Sequence, residues 1–311
     1  MESKLPEEFL KRLSLIVPKR KFSEIKQSFY FPKKPTFRVN LLKSNTAEVL
    51  EELKELNPKK IPQLDGVFFV EEDQKEFLSR SKTFLEGKIY IQNISSILAV
   101  EILDPKPNET ILDLAAAPGG KTLLIAQKMK NQGKISAVEP KKDRFFRLKR
   151  NIETFGGEII KTYNKDGRAI GKICPLMFDK VLLDAPCSSE AKFHIKNPKS
   201  FAYWSKRKIK ESQKLQKRLI LSAWNSLKAG GVLLYSTCSF APEENEEVVN
   251  FLLQKDPKAK LEKITLEFEN TQRGLKSWEK KSFDESLENS LRILPNEIFD
   301  GFFIAKILKE K

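Results

Sequence analysis

The sequence predicts an α/β protein, a parallel sheet clad in helices and preceded by a small α+β unit. Three observations lead there. From Tyr90 onward, short apolar runs alternate with amphipathic stretches in a strand–loop–helix rhythm, the pattern of parallel sheets. The chain is 40% apolar, enough for a large core, so wholesale disorder is excluded although 32% of residues are charged. Its 311 residues fit two unequal domains, expected at 1–85 and 86–311.

The elements follow in order. In the first unit, Pro6 to Leu15 reads as a short helix, Thr36 to Leu42 as a strand, and Ala47 to Leu56 as a helix with Val49, Leu50, Leu53 and Leu56 on one face. Val67 to Val70 is another strand. Ile94 to Leu103 is a helix. Thr110 to Leu114 is a strand, then comes the loop Ala115 to Gly120 and a helix from Lys121 to Met129. Lys134 to Val138 is the second strand of the sheet, and Asp143 to Phe155 a basic amphipathic helix. Glu158 to Tyr163, Lys180 to Leu183 and Gly231 to Ser236 are further strands. Lys210 to Leu227 is a helix stopped by Gly230-Gly231. Residues 255–290 are charged and weakly patterned, as loops and short elements are, and Gly301 to Leu308 is a closing strand.

Composition removes several function classes. Three cysteines rule out a disulfide-stapled secreted scaffold and favour a reducing compartment. The one histidine, His194, leaves no basis for a His-built metal site or a Ser-His-Asp triad. No run of 18 apolar residues exists, and the N-terminus, with Glu2 and Lys4, does not read as a signal peptide. A cytoplasmic protein, monomeric and without membrane or metal, is expected.

The formal charge of +15 points to an anionic partner, and its placement narrows the choice. Lys19 to Lys43 holds eight bases and one acid; Ala191 to Arg218 holds ten bases and one acid. Outside these two segments the chain is about neutral. Both carry aromatic residues: Phe22, Phe29, Tyr30 and Phe31 in the first, Phe193, Phe201, Tyr203 and Trp204 in the second. Bases for phosphates, with rings for stacking, suit splayed or single-stranded RNA, and a two-sided RNA clamp is expected. The alternative is a solvated face over rings that belong to the core.

The chemistry-bearing loop is Asp113-Leu-Ala-Ala-Ala-Pro-Gly-Gly-Lys-Thr122, between a strand and a helix. Its glycines admit a ligand to the backbone, and the helix N-terminus offers free N–H groups. Gly120-Lys121-Thr122 ends like a P-loop, but that motif needs glycine where Ala115 stands, and no G-x-G-x-x-G occurs. Glu139 ends the next strand, 20 residues after Gly119, where an acid can accept from a ribose diol. Asp166 follows the third strand and Asp184 ends the fourth. Acids at successive strand ends suit a nucleoside-bearing cofactor without a polyphosphate, S-adenosylmethionine foremost. Helix capping is the bland alternative for Glu139 or Asp166 alone. Two of the three cysteines, Cys187 in Asp184-Ala-Pro-Cys187 and Cys238 in Ser236-Thr-Cys238, emerge at the same sheet edge; Cys174 reads as buried filler.

These motifs resemble the RNA cytosine-C5 methyltransferases of the Nop2/Sun family. The resemblance rests on Tyr90-Ile-Gln-Asn-Ile-Ser-Ser96, Asp113 to Thr122, Asp184-Ala-Pro-Cys-Ser188, Tyr235-Ser-Thr-Cys-Ser239 with Pro242-Glu-Glu-Asn-Glu246, and Asp300-Gly-Phe-Phe-Ile-Ala305. With Leu5 to Phe9 and Phe37 to Lys43 it covers almost the whole chain. The Ala-Ala-Ala loop, Asp166-Gly-Arg168 and the start Leu5 to Phe9 are similar to the bacterial branch that modifies 16S rRNA. Two departures stand out: Ala115 where the wider family often has cysteine, and a sequence that stops at Lys311 where longer relatives continue into a C-terminal RNA-binding module.

The resemblance implies a Rossmann-like S-adenosylmethionine-dependent methyltransferase domain with a small N-terminal α+β RNA-binding domain, forming 5-methylcytosine in rRNA or, alternatively, tRNA. It implies Cys238 as the nucleophile on cytosine C6, Cys187 as the thiol assisting release, and Asp184 on the N3/N4 edge of the flipped base. Position alone does not choose between the two cysteines. Ala115, Ala116, Ala117, Pro118, Gly119, Gly120, Lys121, Glu139, Asp166 and Asp184 would line the cofactor site, with Arg144 beside them. Protein or DNA methylation and a non-catalytic RNA-binding assembly factor are the rival readings.

Overall fold

The computed structural model describes residues 4–311; Met1, Glu2 and Ser3 of the expected first unit lie outside the described residues. The chain runs α1 (Glu7–Ile16), α2 (Phe22–Gln27), β1 (Thr36–Val39), α3 (Thr46–Glu52), β2 (Lys59–Lys60), β3 (Val67–Phe69), α4 (Lys75–Arg80), α5 (Lys82–Leu85) and β4 (Ile89–Ile91). It continues α6 (Ile94–Leu103), β5 (Thr110–Asp113), α7 (Gly120–Lys128), β6 (Lys134–Val138), α8 (Lys142–Phe155), β7 (Ile160–Tyr163), α9 (Gly167–Ile173), β8 (Phe178–Asp184), α10 (Lys206–Ser226) and β9 (Leu227–Thr237). The last part holds α11 (Glu246–Lys255), β10 (Ala259–Glu262), β11 (Thr271–Arg273), a small hairpin of β12 (Ser277–Trp278) and β13 (Lys281–Ser282), β14 (Leu291–Ile293) and β15 (Phe302–Lys309).

The central sheet has the order β11-β14-β15-β9-β8-β5-β6-β7. From β7 to β9 the strands are parallel, and β15, β14 and β11 extend them antiparallel. Side-chain alternation gives the central strands two buried faces. Leu112, Val181, Leu183, Leu233 and Tyr235 point to one core, with Leu219, Ala223 and Trp224 of α10 and Val248, Val249 and Leu252 of α11. Ile111, Ile135, Leu182 and Leu234 point to the other, beneath α6, α7 and α8. Side-chain caps start several helices: Asn93 accepts from the Ser95 amide at α6, and Ser205 from Lys208 at α10.

The small sheet has the order β2-β3-β1-β4, all antiparallel. Because β4 pairs with β1, this sheet extends to Ile91, past the division expected after residue 85. The N-terminal helices pack elsewhere: Phe9, Leu13, Ile25 and Phe29 belong to the core under α10 and α11.

One expectation needs correction. Gly230-Gly231 does not stop a helix. α10 ends at Ser226, and the glycines lie inside β9, where the β8 pairing shifts register between Phe178 and Lys180. A Cβ on Gly231 would meet the Asp179 carbonyl at 2.7 Å, so a side chain would push the strands apart. The weakly patterned 255–290 segment is built of loops and short elements as expected, with β10 and β11 pairing to β15 and β14. No helix among the described residues is long and apolar enough to cross a membrane.

Candidate active site

The site forms where the chain direction splits around β5, at the carboxyl ends of the parallel strands, the place such sheets bind ligands. The loop after β5 turns into α7 at Gly119, whose φ of +109° suits glycine alone. A Cβ on Gly120 would come within 3.0 Å of the Tyr90 ring, so the loop is pressed against the small sheet. Thr122 Oγ1 donates to Asp113 at 2.7 Å across the loop base, and burial raises the Asp113 pKa to about 6.

Above the loop lies a cavity of about 360 Å³. Of the expected cofactor residues, Ala115, Ala116, Ala117, Pro118, Gly120, Lys121 and Asp184 line it, as does Arg144. Glu139 sits just behind, fully buried. Its Oε1 accepts from the Lys141 amide at 3.0 Å, while Oε2 has no hydrogen-bond donor and stands 3.3 Å from Arg144 Nη1. Arg144 Nη2 donates to the Ala117 carbonyl at 2.6 Å, tying this acid to the loop. An unfilled buried acceptor beside a loop without Cβ atoms at its turn fits a ribose-bearing ligand. Asp166 does not line the cavity: it caps α9, accepting from the Arg168 amide, and its carboxylate is clasped by the Arg168 guanidinium. Gly119 contributes the turn rather than a wall.

Lys121 serves Asp184 as well as the loop. Its Nζ lies 2.8 Å from Asp184 Oδ2 and 2.8 Å from Ser96 Oγ, and Ser236 Oγ donates to Asp184 Oδ1 at 2.9 Å. The carboxylate is held from both sides at the cavity wall. The same β8–β9 register, Asp184 beside Ser236, sets the thiols. Three residues beyond Asp184 and two beyond Ser236, Cys187 and Cys238 meet with their sulfurs 3.2 Å apart.

The two thiols are not equivalent. Cys238 lines the cavity with Lys192; Cys187 stands behind it, towards Glu244. The Cys187 thiol donates to Cys238 and the Lys192 cation faces it, and together they lower the Cys238 pKa to about 6 against its burial. The same sulfur contact, burial and Glu244 raise Cys187 well above the ordinary thiol range. This asymmetry favours the thiolate at Cys238 and the thiol at Cys187.

Buried acids fix the two cysteine loops to each other. Glu244 accepts from the Ser188 amide at 2.9 Å and from the Ser188 and Ser239 hydroxyls. Glu190 accepts from Ser239 Oγ at 3.1 Å, the Phe240 amide at 2.9 Å and Trp204 Nε1 at 2.7 Å. Burial raises both carboxyls, Glu244 to about 7. Behind them Glu246 forms a two-pronged pair with Arg292, both buried. Removing one partner would leave an unpaired interior charge, a cost of roughly 3–5 kcal/mol. The motif Pro242 to Glu246 is therefore the clamp of the site.

The basic segments divide differently from expectation. Arg38 is buried, bonded to Gln92, Gln127 and the Gly120 carbonyl; Lys33, Lys34 and Lys43 are also tied to carbonyls or carboxylates. Phe29 and Phe193 are core, in an edge-to-face cluster with Phe9 and Trp204. Phe31 and Tyr203 remain free for stacking, at 67% and 88% exposure. Lys192, expected in the clamp, belongs to the active site instead. Asp300 and Phe302 line the cavity too. The Asp300 to Ala305 motif marked them in the sequence, whereas nothing local distinguished Lys192 from its basic neighbours.

Residues 100–308 match the family described as 16S rRNA methyltransferase RsmB/F, and residues 5–94 the N-terminal domain of 16S rRNA methyltransferase RsmF. The chain is 43% identical over 286 residues to the tRNA (cytosine(49)-C(5))-methyltransferase of Pyrococcus abyssi, covering 91% of this chain and 90% of that protein. It is 34% identical over 316 residues to ribosomal RNA small subunit methyltransferase F of Vibrio parahaemolyticus, covering 98% of this chain but only 63% of the relative's length. Among solved structures, a methyltransferase homologue protein from Pyrococcus horikoshii superposes with a TM-score of 0.83 at 31% identity, over 98% of this chain and 95% of that one. NSun6 from Pyrococcus horikoshii, solved with SFG, gives 0.82 at 25% identity over 98% of each chain.

Proposed function

Because the chain belongs to the 16S rRNA methyltransferase RsmB/F family of RNA-methylating enzymes, with a Rossmann-like methyltransferase fold, we propose that it forms 5-methylcytosine in structured RNA through a covalent Cys238 adduct. The observation that carries this reading is the pair of unlike thiols, 3.2 Å apart, with Cys238 opening onto the same cavity as Asp184 and the Ala115 to Lys121 loop.

S-adenosylmethionine, when bound, supplies an electrophilic methyl group. Ala115 to Pro118, Gly120 and Lys121 would hold it, with Glu139 on the ribose; the SFG complex of the Pyrococcus NSun6 supports this class of ligand. The protein's own work is on the cytosine. Asp184, oriented by Lys121 and Ser236, accepts from the N4 edge of an everted base and favours the protonated ring. Cys238 Sγ adds to C6, and the electron pair of the C5–C6 double bond makes C5 nucleophilic. Once C5 carries the methyl group its proton must leave, the C5–C6 double bond re-forms, and the C6–S bond breaks with its electrons returning to Cys238. Adduct formation removes the negative charge that kept Cys187 protonated, so Cys187 ionises more readily when a base is needed at C5.

The acceptor is open between two classes. The rRNA reading rests on both family matches, each described as a 16S rRNA methyltransferase, and on relatives that this chain spans by less than two thirds. The tRNA relative is matched at higher identity over nearly its full length, and that favours tRNA. Parallel incubations of tritiated methyl donor with unmodified tRNA transcripts and with unmodified small-subunit rRNA should place label in 5-methylcytosine of the tRNA. Label confined to small-subunit rRNA would restore the rRNA reading, and no 5-methylcytosine in either would contradict the function.

The rate should also follow Cys238 ionisation. Single-turnover rates at saturating RNA should rise with pH around a midpoint near 6. Lys192→Met should move that midpoint upward, because the cation that favours the thiolate is gone. A rate flat between about pH 5 and 8 would contradict a thiolate nucleophile.

A further inference from the structure

A third basic surface lies outside the two basic segments. Residues 141–150 hold six bases and one acid, cancelled in the overall sum by acids elsewhere. Most of them lie on α8. This helix buries Leu148, Ile152 and Phe155 and turns Lys142, Phe146, Arg147, Lys149 and Arg150 outward. Arg144 is the one base of the helix in an ion pair among the described residues; Lys142, Arg147, Lys149 and Arg150 have none. In this they differ from Arg38, Lys33, Lys34 and Lys43, which bond within the protein, and match the exposed Lys208, Lys210 and Lys214 of α10. Amid the bases of α8, Phe146 is 63% exposed, an apolar ring that the fold leaves without cover.

The position of the helix gives the surface a purpose. α8 packs along the cofactor loop: Asn151 Nδ2 donates to the Pro118 carbonyl at 2.8 Å, and a Cβ on Gly119 would touch Leu148 at 3.0 Å. At its first turn Arg144 reaches into the cavity wall through Ala117. Its far end, at Phe155, packs its ring at a tilt against Tyr90, which also lines the cavity. The outer face therefore continues from the mouth of the active site for the length of a 14-residue helix, about 21 Å.

We infer that the outer face of α8 is an RNA-binding track that receives the single strand flanking the target cytosine, with the bases on phosphates and Phe146 under a nucleobase. The inference rests on the RNA methyltransferase reading above. A polyanion is the partner that unpaired cations of one sign complement, and an exposed ring among them suits an unpaired strand better than a duplex. Asp143 and Glu153 are the acids on this face, and they define its limits.

The test uses the full chain. Phe146→Ala/Arg147→Ala/Arg150→Ala changes only outward positions and leaves Cys238, Cys187, Asp184 and the cofactor loop intact. Affinity for tRNA transcripts, followed by fluorescence anisotropy across a potassium chloride series, should fall roughly 10-fold or more. The salt slope should shrink by about 0.7–0.9 for each phosphate that is no longer neutralised. KM for RNA should rise while kcat and adenosylmethionine affinity stay unchanged. Glu153→Lys should tighten binding and steepen the slope. Unchanged affinity and slope in both variants would overturn the track while leaving the enzyme reading intact. Wild-type protein that binds RNA without salt dependence, or not at all, would overturn the reading on which it rests.

Discussion

Cys238→Ala is expected to abolish methyl transfer, by roughly 10⁴-fold or more, with adenosylmethionine affinity unchanged. The cytosine ring offers no nucleophilic carbon until a group adds at C6, so without the thiolate a whole step of the reaction is missing. Cys238 is the sulfur poised for that step: it lines the cavity, its pKa is lowered to about 6, and Lys192 faces it. Serine in its place should be nearly as inactive, since nothing there lowers a hydroxyl to comparable acidity. Binding by calorimetry together with a methyl-transfer assay checks both halves. A Cys238→Ala protein with more than about one-hundredth of wild-type activity would remove Cys238 from the mechanism.

Cys187→Ala should fail differently. Cys238 remains able to add to C6, so the RNA becomes attached, but the thiol that assists release is missing. A covalent protein–RNA species should accumulate on a denaturing gel and persist, with multiple turnover falling by about 10²-fold or more. The loss of the Cys187 donor should also raise the Cys238 pKa, so adduct formation should need a higher pH than in the wild type. An adduct that accumulates with Cys238→Ala instead would exchange the roles of the two sulfurs.

Much of this site was legible before any coordinates. The strands carrying it are short runs of apolar residues ending in Asp113, Asp184 and Thr237, and a buried parallel strand needs just such a run. The motifs at their carboxyl ends therefore had to emerge at one edge. Which cysteine faces the ligand depends on a hydrogen-bond register and on Lys192, and neither is local in sequence. The acids of Pro242 to Glu246 could be seen, but their partners Ser188, Gln216 and Arg292 come from distant segments. α11 went unread because its buried residues cover both sides of the helix rather than one stripe.

The strands β11 and β14 have three residues each, too short to show alternation, and exist because a neighbour pairs with them. Charge misled most. A lysine's place in a basic run does not say whether its four-carbon stem ends in water, on a carbonyl or in an active site. Arg38, Lys192 and the face of α8 show all three outcomes.

The central claim is that Cys238 bonds to cytosine C6 while Cys187 does not. RNA carrying 5-fluorocytosine tests it directly, because fluorine at C5 cannot leave as a proton and the adduct is held. Wild-type protein incubated with this RNA and adenosylmethionine, then digested and analysed by mass spectrometry, should yield a methylated fluoropyrimidine nucleotide on the peptide containing Cys238. The same mass on the Cys187 peptide, or no cross-linked peptide under conditions of active methyl transfer, would contradict the account.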